Sequence, residues 1–267
     1  MTNFFEIPRR IPRRCIEVST QSIPRVIWQT MKSRFVPRIL KDYVETWIEL
    51  NPEYEYRFFD DGDIQDFINQ EFPEFRDGYR KISIGAMKSD FWRYLVIYKY
   101  GGVYADIDCR CINSLKNWIS PGASWVTQLG TNRDVCQWLI ISEAENPVLL
   151  RAAELSYENL IHGRSVSRYR GFVLDEFGEL HIRKAARSIE IDHPVMKIAG
   201  PPILQEASEE CFLKQGGSSV FERIQVICVS DTESCQMAGN VCHDYRNPDY
   251  LQALKSLSTK HYEDSIR

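Results

Sequence analysis

Asp106 and Asp108 stand one residue apart at the end of an apolar run, Val103-Tyr104-Ala105-Asp106-Ile107-Asp108. In an extended strand alternate side chains share a face. Val103, Ala105 and Ile107 then point one way and Tyr104, Asp106 and Asp108 the other, with the carboxylates about 7 Å apart along the backbone. Two charges ending an apolar strand are costly unless a cation or a water-filled cleft receives them. Oxygen ligands with open positions suit Mg²⁺ or Mn²⁺ and leave room for phosphate oxygens, whereas zinc prefers nitrogen and sulfur. The D-x-D spacing alone is a weak signal, since about one such triplet arises by chance in a chain of this size. Asp61-Gly62-Asp63 is such a decoy: it reads as a turn whose aspartates satisfy backbone donors.

Asp90 and Arg93 add a second pair. Three residues apart on a helix they share a face, at the margin of its apolar stripe. A carboxylate that holds ribose hydroxyls and a guanidinium that neutralises phosphate are what a nucleotide-sugar needs. The same spacing also describes a plain surface ion pair. Trp28 carries two readings as well: an indole at the end of a first strand can stack on a nucleobase or pack in the core.

The elements that must position these residues follow from periodicity. Arg25-Val26-Ile27-Trp28-Gln29 predicts a buried strand. From Pro37 to Leu50 the residues Ile39, Leu40, Tyr43, Val44, Trp47 and Ile48 form a helical stripe, stopped at Asn51-Pro52. A strand over Tyr54 to Phe59 completes a βαβ unit and predicts a parallel sheet. A short helix spans Ile64 to Phe72 and a longer one Ile84 to Tyr100, ended by Gly101-Gly102 ahead of the strand 103–108. Trp125 to Gln128, Gln137 to Ser142 and Ile224 to Val229 read as strands and Pro147 to Leu160 as a helix, while 163–193 is polar and irregular.

The run from Lys88-Ser89-Asp90-Phe91-Trp92-Arg93 through Gly101-Gly102-Val103-Tyr104-Ala105-Asp106-Ile107-Asp108 closely resembles the signature of glycosyltransferase family 32, the enzymes with a DXD-containing sugar-binding region. Ile23-Pro24-Arg25-Val26-Ile27-Trp28-Gln29-Thr30 and Asn51-Pro52-Glu53-Tyr54-Glu55-Tyr56 are similar to its opening segments. Cys136-Gln137-Trp138, Asn146-Pro147 and Gly200-Pro201 are similar to landmarks of its fungal initiating α-1,6-mannosyltransferase branch; the family also includes capsular polysaccharide glycosyltransferases. The resemblance covers about residues 23–205. It implies a GT-A-type α/β/α sandwich with a Rossmann-like, mostly parallel central sheet, its site at the C-terminal edge of the strands, and transfer that retains the anomeric configuration. By that pattern Asp90 and Arg93 contact the nucleotide-sugar, Trp28 stacks on its base and Tyr104 touches ribose or sugar. Asp106 contacts ribose or sugar and reaches the Mn²⁺ or Mg²⁺ ion through water, and Asp108 ligates the ion directly. GT-A enzymes often add a C-terminal histidine, for which His243 is the candidate, although Cys242-His243-Asp244-Tyr245 departs from the family's tail.

The expected activity is a metal-dependent hexosyltransferase that takes a nucleotide diphosphate sugar, GDP-mannose or a UDP-hexose, to a glycan or lipid-linked hydroxyl. The alternative is a catalytically silent sugar- or nucleotide-binding member. A formal charge of −4 provides no basic field for nucleic acid. With 43% apolar residues the chain can build a full core, so a disordered protein is excluded. No run is apolar enough to span a membrane and no leader is visible, so a cytoplasmic location is expected. Arg9, Arg10, Arg13 and Arg14, broken by Pro8 and Pro12, predict an unpaired basic arm over residues 1–22 that can touch an anionic membrane, ahead of one domain over 23–267. The eight cysteines read as reduced, buried thiols; Cys228, Cys235 and Cys242 beside His243 recur at seven-residue intervals but lack a zinc knuckle.

Overall fold

A β-strand of five residues, β3 (Val26–Thr30), is followed by the helix that the apolar stripe predicts and by a second strand parallel to the first. The computed structural model describes residues 4–15, 20–130, 134–163, 168–169, 172–174, 180–182, 189–190, 198–214, 223–228, 230–231, 236–238, 241–244 and 247–256. Ahead of β3 lie β1 (Phe4–Glu6) and β2 (Arg10–Ile11); after it come β4 (Phe35–Pro37), β5 (Glu55–Phe59), β6 (Gly102–Ala105), β7 (Cys109–Cys111), β8 (Trp125–Leu129) and β9 (Leu139–Ser142). Four short strands follow, β10 (Arg168–Tyr169), β11 (Phe172–Leu174), β12 (Leu180–Ile182) and β13 (Ile189–Glu190); the rest of the stretch 163–193 lies outside the described residues beyond Gly163. The last strands are β14 (Ile224–Cys228), β15 (Ser230–Asp231), β16 (Gln236–Ala238) and β17 (Val241–His243). The helices are α1 (Arg38–Leu50), α2 (Asp61–Glu71), α3 (Arg76–Tyr79), α4 (Gly85–Tyr100), α5 (Pro147–His162), α6 (Pro201–Lys214) and α7 (Pro248–Ser256).

The central sheet has the order β14-β8-β9-β6-β3-β5-β2. β3 runs parallel to β5 and β6, and β8 parallel to β14, while β9 is antiparallel to β6 and β8, and β2 to β5. Five of the seven strands therefore point the same way, the largely parallel α/β/α sandwich expected. Alternation along the strands divides the core. Trp28, Tyr104 and Trp125 pack on the face covered by α2, α4, α5 and α6. Ile27, Val103, Ala105 and Val126 pack on the face covered by α1 and Tyr250 of α7. From Asp90 to Ile97 every residue of α4 is buried, because this helix lies between the sheet and α5.

Two expectations are corrected here. The strand into the acidic triplet ends at Ala105, not at Asp108: residues 106–108 form a turn in which Cys109 N–H donates to the Asp106 carbonyl at 3.0 Å. Ile107 still joins Val103 and Ala105 on one face. The arm is not unpaired either. β1 pairs with β4, β2 adds to the sheet edge beside β5, and Ile7 is in the core. Pro8 and Pro12 flank a two-residue edge strand, where a missing N–H costs nothing. Arg9 pairs with Asp60 and Asp63, Arg10 with Glu55, and Arg14 donates to the Ile48 carbonyl. Arg9 and Arg10 are thus paired with acids, and residues 4–15 are seated against β4 and β5 rather than held as a free arm. Among the described residues no helix is long and apolar enough to cross a membrane.

The path into the acidic turn depends on Gly101-Gly102. Gly101 ends α4 at φ 64°, donating to the Ile97 carbonyl, and Gly102 follows at φ 103°. A Cβ on Gly102 would lie 2.6 Å from both Cγ1 and the carbonyl oxygen of Val26. Gly102→Ala is expected to lower stability by about 1–3 kcal/mol. An unchanged thermal midpoint would refute this.

Candidate active site

The C-terminal ends of β3, β5 and β6 lie on one edge of the sheet, and the acidic turn leaves from there. Its backbone is pinned on both sides: Asp106 N–H donates to the Trp138 carbonyl at 2.8 Å, and Gln29 Nε2 donates to the Asp106 carbonyl at 3.2 Å. Gln29 is itself fixed by the Tyr56 hydroxyl at 3.1 Å. Strand β3 therefore helps to set where the turn sits.

Over this turn α4 presents a forked cation. Arg93 Nη2 lies 3.0 Å from Asp90 Oδ1 and 2.9 Å from Asp106 Oδ1. Its guanidinium rests over the Tyr104 ring at 4.7 Å, and the Tyr104 hydroxyl donates to the same Asp106 oxygen. The i, i+3 pair on α4 is thus formed but buried, with side-chain exposures of 5% for Arg93 and 9% for Asp90, and the surface ion-pair reading is set aside. Asp106 is more open, at 24%. Burial pushes the Asp90 carboxyl up to about 7 against the pull of Arg93. Burial also lifts Asp106, with Arg93 opposing and the neighbouring Asp108 charge adding to the rise.

Asp108 turns toward the C-terminal strands. β17 pairs antiparallel with β7, His243 opposite Cys109, which places His243 Nε2 3.3 Å from Asp108 Oδ1. Trp138 stacks on the His243 ring at 4.8 Å. Burial acts to raise the Asp108 carboxyl, but the His243 charge and hydrogen bonds from His243 and Tyr250 outweigh it and hold the group below the ordinary range. Burial acts to lower His243, and the Asp108 charge reverses the direction. The sequence candidates Asp90, Arg93, Tyr104, Asp106, Asp108 and His243 therefore meet in one cluster.

The donor set fits a divalent ion. Asp108, Cys109 and His243 offer ligand atoms within 4.8 Å of one another. Two ligand atoms at right angles around an ion with bonds of about 2.1 Å stand about 3 Å apart, close to the Asp108–His243 spacing. Cys109 is a poor third ligand: it is fully buried, its Sγ faces the Trp138 carbonyl, and burial pushes its thiol well above the ordinary range. A carboxylate, an imidazole and a nearby second carboxylate suit a divalent ion bound without a thiolate. Of the alternative zinc set, Cys235 lies outside the described residues, and Cys242 Sγ contacts Asp244 Oδ1 at 3.1 Å. Cys15, Cys109, Cys111, Cys136, Cys211 and Cys242 are reduced thiols.

Trp28 is a correction. It is 2% exposed, stacks on Tyr100 at 5.6 Å, packs edge-on to Phe59, and its Nε1 donates to the Gly101 carbonyl at 2.9 Å. With Arg57 also over its ring, no face is open to a nucleobase. Trp28→Phe is expected to leave the affinity for GDP with Mn²⁺ within twofold while lowering stability by about 1 kcal/mol through the lost hydrogen bond. A tenfold loss of nucleotide affinity would restore the stacking role. The decoy is the first turn of α2 and not a separate turn: Asp60 caps the helix, accepting from Gly62 and Asp63 N–H, Asp63 closes a capping box by accepting from Asp60 N–H, and Asp61 pairs with Lys88.

Sequence reasoning gave no role to Gln137, Tyr94 or Tyr250. Gln137 Nε2 donates to Asp90 Oδ1 at 2.8 Å, across 47 residues of sequence. Its segment was conspicuous as a family landmark, but nothing local signals its partner. Tyr250, which hydrogen-bonds Asp108 from α7, carries no sequence signal.

Fold and site together define an α/β protein with a cluster of acids, an arginine and a histidine at the C-terminal edge of its sheet. The solved structure of the PaToxG glycosyltransferase shares the fold, with a TM-score of 0.51 over 73% of this chain and 70% of that one; at 15% identity this is a likeness of fold alone. Residues 37–125 match the family described as glycosyltransferase sugar-binding region containing DXD motif, the family that the sequence resembles. Inositol phosphoceramide mannosyltransferase 3 of Schizosaccharomyces pombe is 34% identical over 94 residues, 35% of this chain and 26% of the relative. The initiation-specific alpha-1,6-mannosyltransferase of Candida albicans is 29% identical over 160 residues, 49% of this chain and 41% of the relative. A mannosyl phosphorylinositol ceramide synthase of Saccharomyces cerevisiae is 34% identical over 117 residues, 43% of this chain and 31% of the relative. The chain thus spans well under half the length of these relatives.

Proposed function

We propose that the protein is a metal-dependent, retaining hexosyltransferase that moves a sugar from a nucleotide diphosphate donor to a hydroxyl acceptor. The observation that carries this is the cluster in which Arg93 bridges Asp90 and Asp106 beside the Asp108–His243 pair, at the C-terminal edge of a largely parallel sheet. Ligands of open α/β sheets bind at that edge. The names of the relatives support mannose as the sugar, hence GDP-mannose as the first donor to test, and two of the three support a lipid-linked acceptor.

Asp108 and His243 would hold the Mn²⁺ or Mg²⁺, which supplies a Lewis acid for the diphosphate. Arg93, fixed in direction before substrate arrives, offers positive charge where the leaving phosphate becomes more negative. Tyr104 and Arg93 orient Asp106 so that its open side meets ribose or sugar hydroxyls. Each carboxylate of the cluster is already engaged, Asp90 and Asp106 by Arg93 and Asp108 by His243. That arrangement supports attack on the face from which the leaving group departs, rather than a covalent sugar intermediate on one of these groups.

The test is nucleotide release from GDP-mannose, UDP-glucose, UDP-galactose and UDP-N-acetylglucosamine with Mn²⁺. GDP-mannose is expected to be cleaved fastest, with the rate lost in EDTA and regained on adding Mn²⁺. Nucleotide binding without release from any donor would instead make this a silent binding member of the family.

A further inference from the structure

We infer that Gln137 is a positioning residue that sets the direction of the Arg93 fork; the inference rests on the functional reading above. Gln137 lies in the lead-in to β9, buried, and contacts α4 at three points. Its Nε2 donates to Asp90 Oδ1 at 2.8 Å, and its Oε1 accepts from the Tyr94 hydroxyl. Its main-chain carbonyl accepts from Arg93 Nη1 at 3.0 Å. Arg93 Nε is held by the Ser89 carbonyl at 3.3 Å, which leaves Nη2 to span Asp90 and Asp106.

The chemistry of these partners specifies a neutral amide. An ionised carboxylate only accepts, so the NH₂ end of Gln137 faces Asp90 and its carbonyl end faces Tyr94. The phenol has a single proton, and Gln137 Oε1 competes for it with the carbonyls of Ala199 at 3.0 Å and Gly200 at 3.4 Å. Tyr94 is fully buried, so its hydroxyl has no bulk water to turn to. The amide thus fixes the Asp90 carboxylate, Asp90 fixes one side of the Arg93 fork, and the Gln137 carbonyl fixes the other. Asp90, held by Gln137 and Arg93 on the same oxygen, acts through the arginine in this arrangement. A glutamate at 137 would set two carboxylates against each other. An apolar residue would leave Asp90 with Arg93 alone, and the fork would be free to swing toward either acid.

The test replaces Gln137 by Met, which keeps the length and removes both side-chain hydrogen bonds. With the donor that the wild-type protein cleaves fastest, kcat is expected to fall about 10- to 100-fold, as for other residues that orient a ligand-binding group. KM and the affinity for GDP with Mn²⁺ should stay within threefold, a split that general destabilisation would not produce. In an Asp90→Asn background Gln137→Met should add less than twofold, because the route through Asp90 is already cut. Tyr94→Phe is the milder companion if Gln137→Met does not fold: it removes the hydroxyl that faces Oε1 and the Ala199 and Gly200 carbonyls, leaves Nε2 on Asp90, and should lower kcat severalfold at unchanged KM. If the folded variants keep kcat within twofold while Asp108→Asn is inactive, the inference is overturned and the functional reading stands. If Asp108→Asn is active, or the wild-type protein cleaves no donor, the reading itself fails and the inference falls with it.

Discussion

Asp108→Asn is expected to abolish nucleotide release, by about 10³-fold or more, while the protein remains folded. Asn keeps the size and planar shape of the side chain and can still accept from Tyr250, so the contact of α7 with the acidic turn survives. What disappears is the charge. Asp108 is the carboxylate held below the ordinary range, hence ionised throughout the working pH range, and it stands 3.3 Å from the imidazole of the cluster, His243. Without it His243 loses its counter-charge; burial then favours the neutral ring, so no uncompensated cation is left behind. The stability cost is therefore an ordinary one, about 1–3 kcal/mol. Loss of several kcal/mol of charge stabilisation at the leaving phosphate accounts for the rate, at tenfold per 1.36 kcal/mol. Mn²⁺ binding followed by calorimetry gives a readout independent of turnover and should be lost in parallel. A folded variant with wild-type release would remove Asp108 from the site.

The parts of the molecule legible in its sequence are those fixed by local periodicity. The βαβ unit from β3 to β5 and the long helix α4 declare themselves because their apolar positions recur with the period of the element that forms. Asp90 and Arg93 were legible for the same reason, since helix geometry alone puts them on one face. Other features needed long-range information. The apolar pattern runs on through Ile107, and only the Cys109–Asp106 hydrogen bond and the pinning of Asp106 by Trp138 and Gln29 end the strand at Ala105. β2 is two residues long and exists because the edge of β5 is available to it; its prolines argued correctly against a central strand and wrongly against any strand. Trp28 looked the same as a stacking platform or as core until Gly101 was seen to accept from its indole. His243 becomes intelligible only through the pairing of β17 with β7, across more than 130 residues of sequence.

Replacing Arg93 by Met is expected to be the most damaging single change to stability and to cost much of the rate as well. The guanidinium is buried with two acids on one of its nitrogens, a tyrosine ring under its plane, and carbonyls of Ser89 and Gln137 on the others. Removing it leaves Asp90 and Asp106 close together in a region where burial already pushes Asp90 up to about 7. One of the two carboxyls must then take up a proton or draw in water. Breaking a buried pair by deleting one partner costs about 3–5 kcal/mol, a clear fall in the thermal midpoint. The variant should recover part of that loss as the pH is lowered from 8 to 5, because the native state now favours protonated carboxyls more strongly than the unfolded chain, and stability falls with rising pH wherever the native state binds more protons. Catalytically, losing a preorganised donor aimed at developing charge costs about 10²–10³-fold in kcat. Arg93→Lys separates the two effects. It keeps a positive charge near Asp106 but cannot span both acids and the Gln137 carbonyl at once, so it should restore much of the stability and little of the rate. If Arg93→Lys instead turned over donor at the wild-type rate, the fork would be structural only, and the charge that the leaving phosphate meets would have to come from the metal side of the cluster, at Asp108 and His243.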